Sequence, residues 1–257
     1  MSDRALQDRV IRALADAPYR ASTEWRRRGL ADPERVERYA RFLARHFYYE
    51  RIVHFFKYSR ALARVTGRRP EAVLNQPGFD ALLPTVVLGS RASAQAVAAL
   101  VVDHVAGSET RIPCLADLLR YEEAMMVVEA GPRVWREDPE QADEKRGRVR
   151  GQAEKVEGTV LLELAYDLPA VLPSLLQPQT SVPECPPRRT QLLVARSQHG
   201  RVAVARGTAA IAAVLELADG KRTLAELAEG AGIEVAEVEE TLQDLVDLGP
   251  VRFSTGS

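Results

Sequence analysis

His46, Glu50 and His54 stand four residues apart. That spacing puts side chains on one face of a helix and could turn two imidazoles and a carboxylate toward a single metal ion. Di-iron bundles instead take Glu-x-x-His from two helices; here the spacing is Glu-x-x-x-His, with no second copy. No metal is therefore expected in this chain. The imidazoles are read as amphipathic filler in an aromatic-rich helix, with Glu50 paired to a nearby Arg. A stand-alone helical di-iron oxidase is the alternative these three residues would support.

Other reactive side chains give less. Glu122 and Glu123 follow Tyr121 on a helix, so one should face inward and the other outward. An inward acid needs a partner, and Arg is expected to supply it. Cys114 follows Pro113 at a helix start, where a thiolate is favoured; a quiet buried thiol is the expectation. Met125 and Met126 read as core. His104 and His199 stand alone, and the sequence holds no Gly-rich phosphate loop, GxSxG elbow or HExxH. No catalytic set emerges, so this chain is not expected to be an enzyme on its own.

Charge segregation near the C-terminus says more. Arg188, Arg189, Arg196, Arg201 and Arg206 surround two short apolar runs. Between Thr223 and Gly249 lie eight acids (Glu226, Glu229, Glu234, Glu237, Glu239, Glu240, Asp244, Asp247) and no Lys or Arg. A duplex is bound largely by neutralising phosphates, so an acidic third helix argues against a helix-turn-helix transcription regulator, the other alternative weighed. Two readings stay open: ordinary surface charge, or a groove with opposite-sign walls that takes an extended peptide as an added strand.

The elements that must position these residues follow from pattern. Asp32-Pro33-Glu34 is a helix start, opening a helix to about Val65 that stops at Gly67. Its middle is apolar on several sides, so it is buried or covered by another protein. Short helices are expected near 70–75 and 79–87, and longer ones over Ala92–Val105 and Leu115–Ala130. Residues 137–157 are charged and apolar-poor, a solvated helix or linker. Gly158–Tyr166 fits a strand, with Val160, Leu162 and Leu164 on one face, or a further helix. Six prolines make 169–187 an extended loop. Gln191–Ala195 and Val202–Ala205 flank a Ser-Gln-His-Gly turn and read as a hairpin. Helices follow over Thr208–Ala218, from the capping box Thr223–Glu226, and over Val235–Leu248, ended by Gly249-Pro250. Val251–Phe253 would return as a short strand. The fold expected is mainly α: an N-terminal helical domain over 1–155 and an α+β winged-helix-like domain over 156–257 that contains the loop 169–187.

Composition sets the outer bounds. The 257 residues are 46% hydrophobic with a formal net charge of -1, which supports a real core and argues against a bulk polyanion partner. The first residues lack the apolar stretch of a secretory signal, and no run approaches a membrane span. Two cysteines are too few for a disulfide scaffold. A cytoplasmic protein, free of membrane and nucleic acid, is expected.

Two segments resemble known families. DGKRTLAELA, Asp219 to Ala228, after a short hairpin and helix, looks like the PqqD type of RiPP recognition element, a small winged-helix domain that binds the leader of a ribosomally made precursor peptide. ERYARFLARHFYYERIVHFFKYSRALARVTGRRP and IPCLADLLRYEEAMMV resemble the helical domain of the partner proteins of multinuclear non-heme iron enzymes, among them the methanobactin and 3-thiaglutamate partners; Tyr166-Asp167-Leu168 matches a turn of that group. The resemblance spans most of residues 30–253. It implies a heterodimer with a TIM-barrel enzyme that holds two or three irons and oxidatively remodels a residue, a cysteine in first place, of a peptide. This chain would hold no cofactor. It would grip the leader between the strand at Val202–Ala205 and the helix at Val235–Leu248, through Val202, Val204, Arg206, Val235, Val238, Glu239 and Leu242. The acidity of that helix implies a leader carrying Lys or Arg. Phe47, Tyr48, Arg51 and Phe55 are the residues expected at the enzyme interface.

Overall fold

A computed structural model describes residues 3–27, 32–130, 152–197 and 200–254. The chain is mainly helical with small antiparallel sheets and divides into two compact units.

The first unit holds α1 (Asp3–Ala15), α2 (Ala17–Ala21), α3 (Thr23–Arg26), α4 (Pro33–Phe55), α5 (Lys57–Ala61), α6 (Ala63–Thr66), a 3-10 turn over Pro70–Asn75, α7 (Pro77–Leu82), α8 (Arg91–Ala106) and α9 (Leu115–Glu129). Asp32 caps α4 as its sequence promises: its carboxylate accepts from the Arg35 N–H at 2.8 Å, with Pro33 in the first turn. The helix does not run to Val65. It breaks at Phe56, whose ψ of 34° leaves the helical range, and again at Leu62, before Gly67 ends α6 in the left-handed region at φ 68°. The core includes Tyr48, Ile52, Phe56, Leu62, Phe79, Val97, Val101, Leu118, Leu119 and Met126, all essentially without solvent contact.

The proline-rich stretch corrects an expectation. Residues 168–186 belong to this helical unit, not to the C-terminal one. They form α10 (Leu168–Val171) and a 3-10 turn at Ser174–Leu176 before running irregularly. Leu168, Val171 and Leu175 are buried, the Gln179 N–H donates to the Ala61 carbonyl at 2.8 Å, and Cys185 is disulfide-bonded to Cys114. A proline-rich chain cannot build its own core, so it lends its few apolar side chains to a neighbouring one. The quiet buried thiol expected at Cys114 is thus also corrected.

The second unit comprises 152–167 and the described residues from 187 onward. Strands β2 (Val160–Leu164), β3 (Thr190–Arg196) and β4 (Val202–Arg206) form an antiparallel sheet in the order β2-β3-β4, with Val160, Val194 and Val204 in register. Leu is a good helix former, but 160–164 is a strand because β3 offers it a ladder. Strand β1 (Gln152–Lys155) pairs with β5 (Val251–Ser254), so these residues are neither helix nor linker, and they sit in the second unit rather than the first; the rest of the expected 137–157 segment lies outside the described residues. Then come α11 (Ala209–Leu217), α12 (Leu224–Ala231) and α13 (Val235–Leu248).

These helices bury Val214, Leu215, Leu227, Val238, Leu242 and Leu245 together with Leu193 of β3. The capping box at α12 is present in both directions, Thr223 N–H to Glu226 Oε2 at 2.8 Å and Glu226 N–H to Thr223 Oγ1 at 3.3 Å. Gly249 ends α13 at φ 95°. A Cβ there would run into the Arg196 carbonyl and lie 2.8 Å from Ser197 Cα, so only glycine lets the helix end close on the hairpin.

Candidate functional site

Strand β4 is an edge of its sheet: among the described residues, nothing pairs with it on the side away from β3. Its register decides which residues are offered. The Gly207 N–H donates to the Gln191 carbonyl at 2.8 Å and the Ser197 N–H to the Arg201 carbonyl at 2.7 Å. Backbone direction alternates along an antiparallel strand, so Ala203 and Ala205 bond inward to β3. Val202, Val204 and Arg206 turn their N–H and C=O groups outward. These are the three strand residues the sequence points to.

The helical half of the expected site comes out differently. Val238 and Leu242 are fully buried in the core of the second unit, where they hold α13 in place, which corrects their assignment to the peptide site. Val235 and Glu239 are exposed. So are Glu234, Glu237, Glu240, Asp244 and Asp247, and among the described residues no cation pairs with any of them. An amphipathic helix must turn one face in; Val238, Leu242 and Leu245, at i, i+4 and i+7, are that face.

Arg206 is not idle. It pairs with Asp167 Oδ1 at 3.3 Å, while Arg188 reaches Asp167 Oδ2 at 3.4 Å. Asp167 is buried; two guanidiniums answer its charge and moor the end of β4. The sequence flags Asp167 only as part of a turn, since nothing in its neighbours announces partners 21 and 39 residues away.

In the helical unit the interface residues separate. Tyr48 and Phe55 are buried, which corrects their assignment to a partner surface. Phe47 and Arg51 are half-buried: the Arg51 guanidinium lies 4.0 Å over the Phe47 ring and pairs with Glu129 at 3.1 Å. The exposed aromatics of α4 are others: Tyr39, Phe42 and Tyr49, at 52%, 61% and 44% exposure. Their 3- and 7-residue steps put them on one face of the helix with Arg35, Arg38 and Arg45.

His46 pairs with Glu50 at 3.3 Å, in place of the expected Arg, and His54 packs edge-on against Phe55. Among the described residues, no three His, Cys, Asp or Glu side chains are placed to hold a metal ion.

Glu122 is the inward acid, fully buried, and its partner is not an arginine. Its Oε1 accepts the N–H groups of Tyr58 at 2.7 Å and Ser59 at 3.1 Å, and its Oε2 bonds the Ser59 hydroxyl. Those N–H groups belong to the first turn of α5, which the break at Phe56 leaves without intrahelical acceptors. A carboxylate from α9 thus caps a helix whose N–H groups lie 63 and 64 residues earlier in the chain. Burial pushes the Glu122 carboxyl up to about 8, against the opposing pull of the Ser59 and Tyr58 hydrogen bonds. Glu123 is half-buried, and burial with the nearby Asp103 raises it too.

No helix of the described residues is long and apolar enough to cross a membrane. No protein-family model matches the chain, and no curated protein matches it.

Proposed function

We propose that this chain is the non-catalytic partner subunit of an iron-dependent oxidative enzyme and holds the leader of a ribosomally made precursor peptide on its C-terminal unit. The observation that carries the reading is the open edge of β4, with Val202, Val204 and Arg206 turned outward. Three strands followed by three helices suit the winged-helix, RiPP-recognition-element character that the run Asp219–Ala228 suggests. An added strand takes affinity from backbone hydrogen bonds and register from alternate side chains. The unpaired carboxylates of α13 in the same unit favour a leader carrying Lys or Arg. They also weigh against the transcription-regulator reading, since they repel phosphate.

The division of labour follows from effective concentration. A held leader makes the encounter of the core peptide with the enzyme effectively intramolecular, so a weak core site suffices. The two or three irons belong to the TIM-barrel subunit. The reading places the chain in the cytoplasm beside that enzyme. The Cys114–Cys185 bond pulls the other way, because lasting disulfides are rare in reducing compartments; counting free thiols in protein taken from reducing cytosol tests the placement.

Binding of a synthetic precursor leader, followed by fluorescence anisotropy with the full chain, tests the function. Val204→Pro removes one outward N–H without touching the β3 ladder, a position an edge strand tolerates. It should weaken the leader at least about tenfold, as losing a backbone hydrogen bond and its neighbours requires. Val204→Thr should bind nearly as wild type. Equal binding by the proline variant, or a leader ignored by the wild-type chain, ends the proposal.

A further inference from the structure

The bond between Cys114 and Cys185 joins two places of different character. Cys114 sits at the start of α9 without solvent contact, and Ile112 and Leu115 on either side are buried as well. Cys185 is half-buried in the irregular run that leads out of the helical unit. Upstream, that run is well anchored. Leu168, Val171 and Leu175 are buried, the Gln179 N–H donates to the Ala61 carbonyl, and the Gln179 side chain donates to the Ser174 carbonyl at 2.7 Å.

Beyond Gln179 the anchoring stops. Among the described residues, no hydrogen bond or ion pair joins residues 180–187 to the rest of the chain. Pro183, Pro186 and Pro187 have no N–H to donate, and Thr180, Ser181, Val182 and Glu184 are exposed. The disulfide is thus the one covalent or polar fastening of this segment among the described residues. With it closed, only Pro186 separates the fastening from Pro187, where the second unit resumes. With it open, the nearest anchor is Gln179, and the loose chain grows to about seven residues, roughly 25 Å at full stretch.

The two sulfurs are unequal toward a reagent. Exchange needs access to one sulfur and a good leaving group at the other. Cys185 gives the access. Cys114 gives the leaving group, because the N-terminus of the 15-residue α9 favours a thiolate there.

We propose that Cys185 is a thiol–disulfide exchange site and that its bond to Cys114 is a redox latch, opened by a dithiol reductant, which fastens residues 180–186 to the helical unit. One thiolate of the reductant attacks Cys185 Sγ. The sulfur–sulfur bond breaks, and its electron pair leaves on Cys114 Sγ, which takes a proton from solvent. The second thiol of the reductant then attacks the mixed disulfide and releases Cys185 as a thiol. The protein gains two electrons and two protons, and the dithiol leaves as a disulfide. Helix α9 keeps its place, held by Leu118, Leu119 and Met126 in the core.

The test uses the full chain in dithiothreitol buffers of stepped reduced-to-oxidised ratio, without denaturant. Free thiols, far-UV circular dichroism and cutting after Glu184 by a Glu-specific protease are followed, the cut read by mass spectrometry after quenching and full reduction. Both thiols should appear together with the helical signal kept. Cutting after Glu184 should run at least about tenfold faster in the reduced chain, as a local opening requires. Cys185 should be alkylated by iodoacetamide at least about 100-fold faster than the buried Cys114. Cys185→Ser should be cut at the fast rate with or without dithiol, which separates the latch from any other effect of the reductant. Equal cutting in the two redox states, equal alkylation of the two cysteines, or loss of the helical signal on reduction overturns the proposal. So does a bond that dithiol opens only in denaturant, or a pair of thiols that never joins in the oxidised buffers. No outcome depends on the peptide reading.

Discussion

Helices α4 and α13 follow one inward rule and two opposite outward ones. Each buries an apolar stripe: Ala40, Ala44, Tyr48, Ile52 and Phe55 in α4, and Val238, Leu242 and Leu245 in α13. Outward, α4 shows aromatics among arginines, whereas α13 shows carboxylates and Val235. The inward stripes account for why both segments are helices at all. The outward faces bury few apolar side chains, which leaves them free to carry opposite charge.

That contrast can be broken from its buried side first. Leu242→Ala should cost about 2–5 kcal/mol in a denaturant titration, the usual result of deleting a buried leucine side chain. Phe42→Ala, at the opposite extreme, should stay within about 0.5 kcal/mol; a loss comparable to Leu242→Ala would show that the α4 face is not open.

The disulfide comes next. Cys114 and Cys185 are 71 residues apart in sequence, so reducing them should lower the stability of the helical unit by about 2–4 kcal/mol. The same titration with and without reductant measures it.

Glu122→Ala should cost about 1–3 kcal/mol, because it orphans buried N–H groups at the start of α5. Glu122→Gln keeps an acceptor and should cost less. The pH dependence has a fixed sign. The Glu122 carboxyl is raised from its usual 4.5 to about 8 in the folded chain, so the native state holds this proton more tightly than the unfolded one. Its contribution is fully present below pH 4.5 and is lost as pH rises through about 8. Stability should therefore fall across that window in the wild type, with a shallower slope in Glu122→Gln. An unchanged slope would remove Glu122 as the cause.

The smallest effect is Thr223→Ala, about 1 kcal/mol for a lost helix cap. Its readout is the melting of the C-terminal unit.

Much of this molecule was legible because its signals are local. Asp32 before Pro33, the Thr223–Glu226 box, the hairpin and Gly249-Pro250 each act within about four residues, the reach of a helix turn or a cap. The alternation of Val202, Val204 and Arg206 with Ala203 and Ala205 has the same short reach, but which set faces the open edge was decided by the pairing with β3. What lies outside that reach had to wait for the fold. At the break at Phe56, it is Glu122 from α9 that takes the freed N–H groups of Tyr58 and Ser59. Gln152–Lys155 is a strand because β5 lies beside it, nearly a hundred residues on. Leu168–Pro186 joins the helical unit through buried leucines and a disulfide that two scattered cysteines did not announce. The side of α4 that faces solvent was settled the same way. A helix aromatic on several sides has more than one way to turn inward, and only packing against real neighbours chose Tyr48 and Phe55 for the core and left Phe42 and Tyr49 outside.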